Sequence, residues 1–224
     1  MWLTVKDMNG EVVRRIKGKT SKGFHRIAWD MYYSSSSVID INSESNYTPR
    51  GMFARPGTYT VSLSKEIDGV ITELAGPVEF KLVQMHEGAL PGVSTEEVIA
   101  FGKEVDDVIK SMSAASLVLK NVTKKVKAMQ KAAARTPDIS SDLNKKIFQL
   151  NQDLYVLDEE INGHHSKRSV GEGSEPTVRS RVWTASSGTR GSYGPTITQR
   201  RNLEIAKEEF VEVKACLLYT SPSP

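Results

Sequence analysis

The spacing of apolar residues changes at Ser94 from every second residue to alternating steps of three and four. This spacing continues over five heptads at Val98, Phe101, Val105, Val108, Met112, Ala115, Leu119, Val122, Val126, Met129 and Ala133. Such a repeat is typical of a long amphipathic α-helix with one buried face. A capping box formed by Ser94 and Glu97 predicts where this helix begins. Pro137 predicts that it ends near Arg135.

Two later segments repeat this spacing. The second helix has its apolar seam at Leu143, Ile147, Leu150, Leu154, Leu157 and Ile161, and the third at Leu203, Ala206, Phe210 and Val213. Asn162 and Gly163 predict the end of the second helix. Because the first connection is short, the first two helices must pack antiparallel, and a third helix would cover their open side. Residues 94–215 are therefore predicted to form an antiparallel three-helix bundle with a truncated third helix.

The connection over residues 164–195 is rich in Gly, Ser and Arg, and we expect it to cross the bundle surface as a long polar excursion. Basic residues interleaved with aromatic ones can bind nucleic acids or acidic glycans. The candidate binding residues are Arg179, Arg181, Trp183, Arg190 and Tyr193. The basic residues are scattered rather than clustered, which favours a surface loop anchored by Trp183. If the chain binds a ligand, this loop is the first candidate.

Residues 1–86 show the alternation of short antiparallel strands. Asn9 and Gly10 predict a tight hairpin turn. Its strands place Met1, Leu3 and Val5 opposite a second strand with Val12, Arg14 and Ile16. The next strand is predicted to carry His25, Ile27, Trp29 and Met31 on one face, with Trp29 as the inward aromatic of a sandwich.

The polar residues 34–54 are predicted to form a connection that crosses between two sheets. Pro56 and Gly57 turn the chain into a strand with Tyr59, Val61 and Leu63, and Asp68 and Gly69 mark another tight turn. The last strand carries Val78, Phe80 and Leu82. The predicted fold class is therefore α+β and multi-domain: an all-β, Ig-like or FnIII-like antiparallel sandwich over 1–86, a linker over 87–93 and the helical bundle over 94–215.

Composition excludes some classes of function. The 224 residues carry a net charge of only +3, which gives no general reason to predict a nucleic acid or membrane partner. No run of 18 apolar residues occurs, so no membrane span is predicted, and the N-terminus lacks the layout of a signal peptide.

The last nine residues, 216–224, resemble a translated transposase sequencing adapter codon for codon. They include the only cysteine, Cys216. We expect this tail to be foreign to the natural protein and poorly ordered, with natural sequence continuing beyond Ala215.

Several motifs carry a family resemblance. They are residues 12–15 (Val-Val-Arg-Arg), 21–30 (Ser-Lys-Gly-Phe-His-Arg-Ile-Ala-Trp-Asp), 56–61 (Pro-Gly-Thr-Tyr-Thr-Val), 193–199 (Tyr-Gly-Pro-Thr-Ile-Thr-Gln) and 203–210 (Leu-Glu-Ile-Ala-Lys-Glu-Glu-Phe). Through them, residues 1–215 resemble the C-terminal portion of large exported bacterial proteins, glycosyl-hydrolase-like or sortilin-like, that begin with a β-propeller of BNR repeats. Their Ig-like module is similar to that of flagellar hook capping proteins.

The resemblance implies an exported chain whose main partner is the missing N-terminal β-propeller, with a further protein or a polysaccharide as an additional partner. The Asp-box pattern of the propeller, Ser-x-Asp-x-Gly-x-x-Trp, does not occur in this sequence. No catalytic role can therefore be carried over to a residue of this chain, and no enzyme activity or cofactor is predicted for it.

The residues themselves offer weak candidates for chemistry. Glycoside hydrolysis needs two carboxylates across a cleft, but the acidic groups at 106–107 and 158–160 are interpreted as solvated helix faces. His164 and His165 are interpreted as a loop after a helix stop, because adjacent residues seldom bind one metal ion. His25 is expected to be packed in the sandwich or at its rim rather than to act as a catalytic base. Trp29 and Tyr59 are expected in the core of the sandwich rather than on a carbohydrate-binding face.

The leading hypothesis is a non-catalytic accessory region of a larger exported protein. One alternative is a region that binds the polysaccharide of a glycoside hydrolase or completes its active site. A second alternative is a freestanding adhesion or assembly module.

Overall fold

The computed structural model describes residues 1–44, 49–86, 88–173 and 175–220, with side chains up to Leu217. The fold is α+β, as the sequence predicted, with antiparallel strands followed by helices. The strands are β1 (Trp2–Lys6), β2 (Val12–Lys17), β3 (Tyr32–Ser34), β4 (Arg50–Phe53), β5 (Gly57–Ile67) and β6 (Val70–Leu82). The helices are α1 (Thr95–Ala133), α2 (Ser141–Asn162), α3 (His165–Ser169), α4 (Val178–Ser187) and α5 (Ile197–Thr220).

The strands form two antiparallel sheets. The larger has the order β2-β1-β5-β6, and the smaller pairs β3 with β4. The predicted β1–β2 hairpin is confirmed, but its turn is longer than two residues because the Asp7 carboxylate accepts from the amides of Asn9 and Glu11. Asp68 and Gly69 both have positive φ, of 51° and 79°, as a two-residue hairpin turn between β5 and β6 requires.

Two predictions about the strands were wrong. No strand covers residues 24–30, because this segment has no neighbouring strand to pair with. Residues 34–54 join β3 to β4 within one sheet, and β4 itself lies inside this supposed connection. The predicted pairing of Leu3 with Ile16 and of Val5 with Arg14 is present, and a bulge in this ladder brings Val13 into the core and leaves Val12 54% exposed.

The core of the β region is small and aromatic. Val5, Val13, Ala54 and Tyr59 are its buried members. Trp29 packs against them from its irregular segment, with its ring centroid 5.5 Å from that of Tyr59 and 6.2 Å from that of Phe80. The core role predicted for Trp29 and Tyr59 is therefore confirmed, although the strand around Trp29 is not. His25 is exposed and bonds to the carbonyl of Ser21.

The helical seams are buried over most of their length. The Ser94 hydroxyl accepts from the Glu97 amide at 3.1 Å, as the capping box predicted, and Ser140 caps α2 in the same way. On α1 the seam is buried or half-buried except at Met129, which is 50% exposed. On α2 the seam is buried at Leu154, Leu157 and Ile161, but Leu143 is 50% exposed.

Two predictions about the helical region were wrong. The excursion over 164–195 contains α3 and α4, and α4 buries Val178, Val182 and Ala185 among the helices. This was missed because α4 is only ten residues long and has a mostly polar sequence. Order also does not end at Ala215: α5 continues to Thr220, and Leu217 takes the next seam position with 7% exposure. Residues 221–224 of the tail lie outside the described residues.

The described residues divide into two compact units. The first comprises Met1–Ser36, Ser45–Lys103 and Thr189–Gly194, and the second comprises Ser37–Glu44, Glu104–Gly188 and Pro195–Pro224. The division falls inside α1, whereas the sequence placed it at the linker over 87–93. In the first unit Gly102 of α1 leaves room for the buried side chain of Met52. Among the described helices, none combines the length and the apolar character that crossing a membrane needs.

Candidate functional site

Two of the candidate binding residues, Arg179 and Arg181, lie on α4 and hold helices together. The α4 helix begins at a capping box between Thr177 and Ser180. The Arg179 guanidinium donates to the side-chain oxygen of Asn162 at 2.6 Å and to the Ser116 hydroxyl at 3.1 Å. Nε of Arg181 donates to both carboxylate oxygens of Glu209 at 3.1 Å. Both guanidinium groups are therefore engaged by the protein itself.

The other three candidates do not join these two in one place. Trp183 lies on α4 but is 66% exposed, so the prediction that it anchors the segment was wrong; Val178, Val182 and Ala185 are the buried residues of α4. Arg190 and Tyr193 belong to the first compact unit. There the Tyr193 carbonyl accepts from the Val93 amide at 3.1 Å. The five residues thus belong to two different units.

A cleft of about 690 Å³ lies in the second unit. Its walls come from the end of α2, the start of α3, residues 173 and 175–178, and the middle of α5. Its ionisable lining residues are Glu159, Glu160, His164, Lys167, Glu175, Glu209 and Glu212. Five carboxylates line the cleft with one lysine and one histidine, and Arg181 pairs with one of them, Glu209, so the cleft keeps an excess of negative charge that suits cationic groups or sugar hydroxyls.

Burial and the charge of Glu212 together raise the pKa of Glu160. The neighbouring Glu159 carboxylate contacts the Nδ1 atom of His164, and His165 lies 3.7 Å from Asp158. Residues 158–160 are therefore not simply a solvated helix face, as the sequence suggested. His164 and His165 lie at the start of the short helix α3 rather than in a loop.

The sequence pattern missed this cleft because its walls are far apart in the chain. Glu209 and Glu212 are three residues apart, which places them on one side of α5. That spacing was the one available signal, and it does not reveal which helix lies opposite. Among the described residues no group of three potential ligands is arranged to hold a metal ion.

A second candidate is an interaction surface at the end of the β5–β6 hairpin. The pairing of β1 with β5 ends at Ser64, which lies opposite Glu73, so residues 65–72 extend beyond β1 as a two-stranded ribbon. This ribbon and the two residues at its base, 73 and 74, are here named the β-arm. Its exposed apolar residues are Ile67 (58%), Val70 (65%), Ile71 (55%) and Leu74 (46%). Val70 and Ile71 are consecutive in a strand, so the β-arm presents apolar side chains on both faces.

β6 is also one of the two edge strands of the larger sheet. An edge strand presents backbone N–H and C=O groups that can pair with another strand. Exposed apolar side chains beside such an edge are typical of a protein–protein contact. The geometry of the β-arm therefore suits a macromolecular partner rather than a small ligand.

Comparison of the chain with protein-family models, with curated proteins and with solved structures returned no match.

Proposed function

We propose that this chain is a non-catalytic accessory region of a larger exported bacterial protein, and that it docks through the β-arm onto a β-propeller of the same protein. The finer architecture in this proposal is an Ig-like sandwich joined to an antiparallel bundle built on three long helices. The observation that carries the proposal is the exposure of Ile67, Val70, Ile71 and Leu74 on a protruding hairpin.

The energetics support a docking role. Fully burying an exposed aliphatic side chain contributes about 1.5–3 kcal/mol, and each of these four, being about half exposed, would gain roughly half of that on docking. The β-arm is also held in place, because the Trp2 indole donates to the Glu66 carboxylate at 2.6 Å and Arg15 stacks on the Trp2 ring. A preorganised apolar hairpin loses less entropy on binding than a flexible loop.

The first experiment is to read the genomic sequence upstream of Met1. The proposal expects an open reading frame that encodes BNR repeats. A stop codon followed by a ribosome-binding site directly before Met1 contradicts it and favours a freestanding module.

The second experiment expresses the upstream region and this chain as separate proteins and measures their association by isothermal titration. Val70→Thr keeps the side-chain shape but replaces one methyl group with a hydroxyl, so we expect it to weaken the association at least threefold. Val12→Thr is the matched control, because Val12 is 54% exposed on the edge strand at the other side of the same sheet. Equal effects of the two variants contradict docking through the β-arm.

The acidic cleft favours a second candidate function, in which this region binds a polysaccharide or completes the active site of a glycoside hydrolase. The observation that supports it is the pair of carboxylates at Glu160 and Glu212 in this cleft, since Glu209 is already held by Arg181 and Glu159 contacts His164. This candidate expects the chain to be retained on at least one of cellulose, chitin and peptidoglycan, and expects Glu212→Gln to reduce the retention. No retention on any of the three argues against it.

A further inference from the structure

The tip of the α1–α2 hairpin, residues 120–149, is strongly basic. Between residues 120 and 146 it carries eight Lys or Arg residues and two Asp residues, whereas the whole chain has a net charge of +3. Two of the lysines form ion pairs within the protein, Lys120 with Asp40 and Lys146 with Asp142. Lys125, Lys127 and Lys131 are exposed. The tip therefore attracts acidic partners.

The same tip exposes apolar side chains. A groove of about 480 Å³ is lined by Ile147 and Phe148 together with Gln130, Asn144, Lys145 and Gln149. Phe148 is 59% exposed, and the seam residues Met129 and Leu143 are each 50% exposed. The seam is more buried one turn away from the tip on each helix. On α1, Val126 is 1% exposed, and on α2, Ile147 is half-buried.

We infer that the hairpin tip binds an acidic amphipathic helix of a partner protein. Met129 and Leu143 continue a heptad seam, and the usual complement of such a seam is the apolar face of another helix. Lys127 lies one turn before Gln130 on α1, and Lys145 lies in the groove wall on α2. Glutamates beside the apolar face of the incoming helix would lie against these lysines, which gives the contact its charge complementarity.

The aliphatic residues distinguish this partner from duplex DNA. Non-specific binding to duplex DNA is dominated by contacts between basic side chains and phosphates and does not need an aliphatic seam. This inference is independent of docking through the β-arm, because it depends on residues of the other compact unit.

The test is a fluorescence-anisotropy titration of the chain with a labelled 21-residue peptide that has Leu at heptad positions a and d and Glu at the flanking positions. A peptide of the same composition with the leucines placed all round the helix is the control ligand. We expect saturable binding of the first peptide only. Because exposed charge pairs are screened by salt, the binding should weaken at least threefold between 50 and 300 mM NaCl.

Variants of the chain locate the contact. Lys131→Glu should weaken binding about threefold to tenfold, and Phe148→Ser about tenfold. Lys110→Glu reverses another exposed charge elsewhere on α1 and should change the affinity less than twofold. Lys131→Gln, which removes the charge without reversing it, should fall between the wild type and Lys131→Glu.

Four results overturn the inference. The first two are the absence of peptide binding and equal binding of the two peptides. The third is tighter binding of a 20-base-pair DNA duplex or of phosphatidylglycerol vesicles than of the amphipathic peptide. The fourth is self-association of the chain that is lost in Phe148→Ser. The last result would assign the groove to a second copy of the chain.

Discussion

Nε of Arg181 lies 3.1 Å from each carboxylate oxygen of Glu209. The pair joins α4 to α5 across 28 residues of sequence, and its side chains are 19% and 38% exposed. A partly buried guanidinium held by a carboxylate stabilises the fold and is not available to a ligand. Arg181 was a candidate binding residue in the sequence, and its geometry gives it a structural role.

Replacing Arg181 with Met should lower the free energy of unfolding by about 1 kcal/mol, because Glu209 loses its partner while remaining partly exposed to water. Urea unfolding of Arg181→Met, Glu209→Gln and the double variant measures the coupling between the two side chains. Arg201→Met is the control, since Arg201 forms an exposed pair with Glu204 on α5. Equal stabilities of Arg181→Met and Arg201→Met would contradict the structural role.

Trp29 should contribute strongly to stability although it lies outside any strand. Trp29→Ala removes its contacts with Tyr59 and Phe80 and should lower the free energy of unfolding by about 2–4 kcal/mol. Phe24→Ala is the matched control in the same irregular segment, because Phe24 is fully exposed. Thermal unfolding measures both variants, and a similar loss for the two would show that Trp29 is not a core residue.

Gly76 occupies a position that only glycine suits. Its φ is +108°, and a Cβ there would lie 2.8 Å from the Cα of Ser62 and 2.8 Å from the carbonyl oxygen of Val61. Gly76→Ala should therefore destabilise the protein by about 1–3 kcal/mol. Gly173→Ala meets no atom within 4 Å and should be close to neutral. Chemical denaturation of the two variants measures their free energies of unfolding. An unchanged free energy of unfolding in Gly76→Ala would contradict the close approach of β5 and β6 at this residue.

The raised pKa of Glu160 predicts a pH dependence of stability. The folded chain holds the proton of Glu160 more strongly than the unfolded chain does, so the stability contributed by this group falls as pH rises above the ordinary glutamate pKa of about 4.3. Glu160→Gln should therefore be more stable than the wild type near pH 7, and this difference should shrink towards about pH 3.5.

Urea unfolding at both pH values measures that difference. Glu204→Gln is the control, because Glu204 pairs with Arg201 at the surface and its loss should bring no gain near neutral pH. A stability difference between Glu160→Gln and the wild type that is the same at both pH values would show that Glu160 is not perturbed in the folded protein.

The helices were the most predictable part of the fold. The heptad seam of α1, the cap at Ser94 and the stop at Gly163 are local signals, and each is confirmed. The Asp68–Gly69 turn was predictable for the same reason, since two residues with positive φ fix a hairpin. Sequence alone suffices to predict helices and tight turns, because their hydrogen bonds join residues only a few positions apart in the chain.

The failures share a different cause. Residues 24–30 alternate like a strand, but a strand also needs a neighbour with free backbone groups, and sequence periodicity does not supply one. α4 was missed because its few buried residues depend on α5, which follows it in the chain. The acidic cleft was missed for a similar reason, because α2 supplies one wall and α5 the other.

The central proposal is that the β-arm docks onto another domain of the same protein. Hydrogen–deuterium exchange of the amides of residues 65–74 tests it most directly, measured in this chain alone and in the longer protein that includes the upstream region. The proposal predicts that exchange in the β-arm slows at least tenfold in the longer protein, while exchange in the edge strand β2 does not change. Equal exchange rates of the β-arm in the two proteins would contradict it.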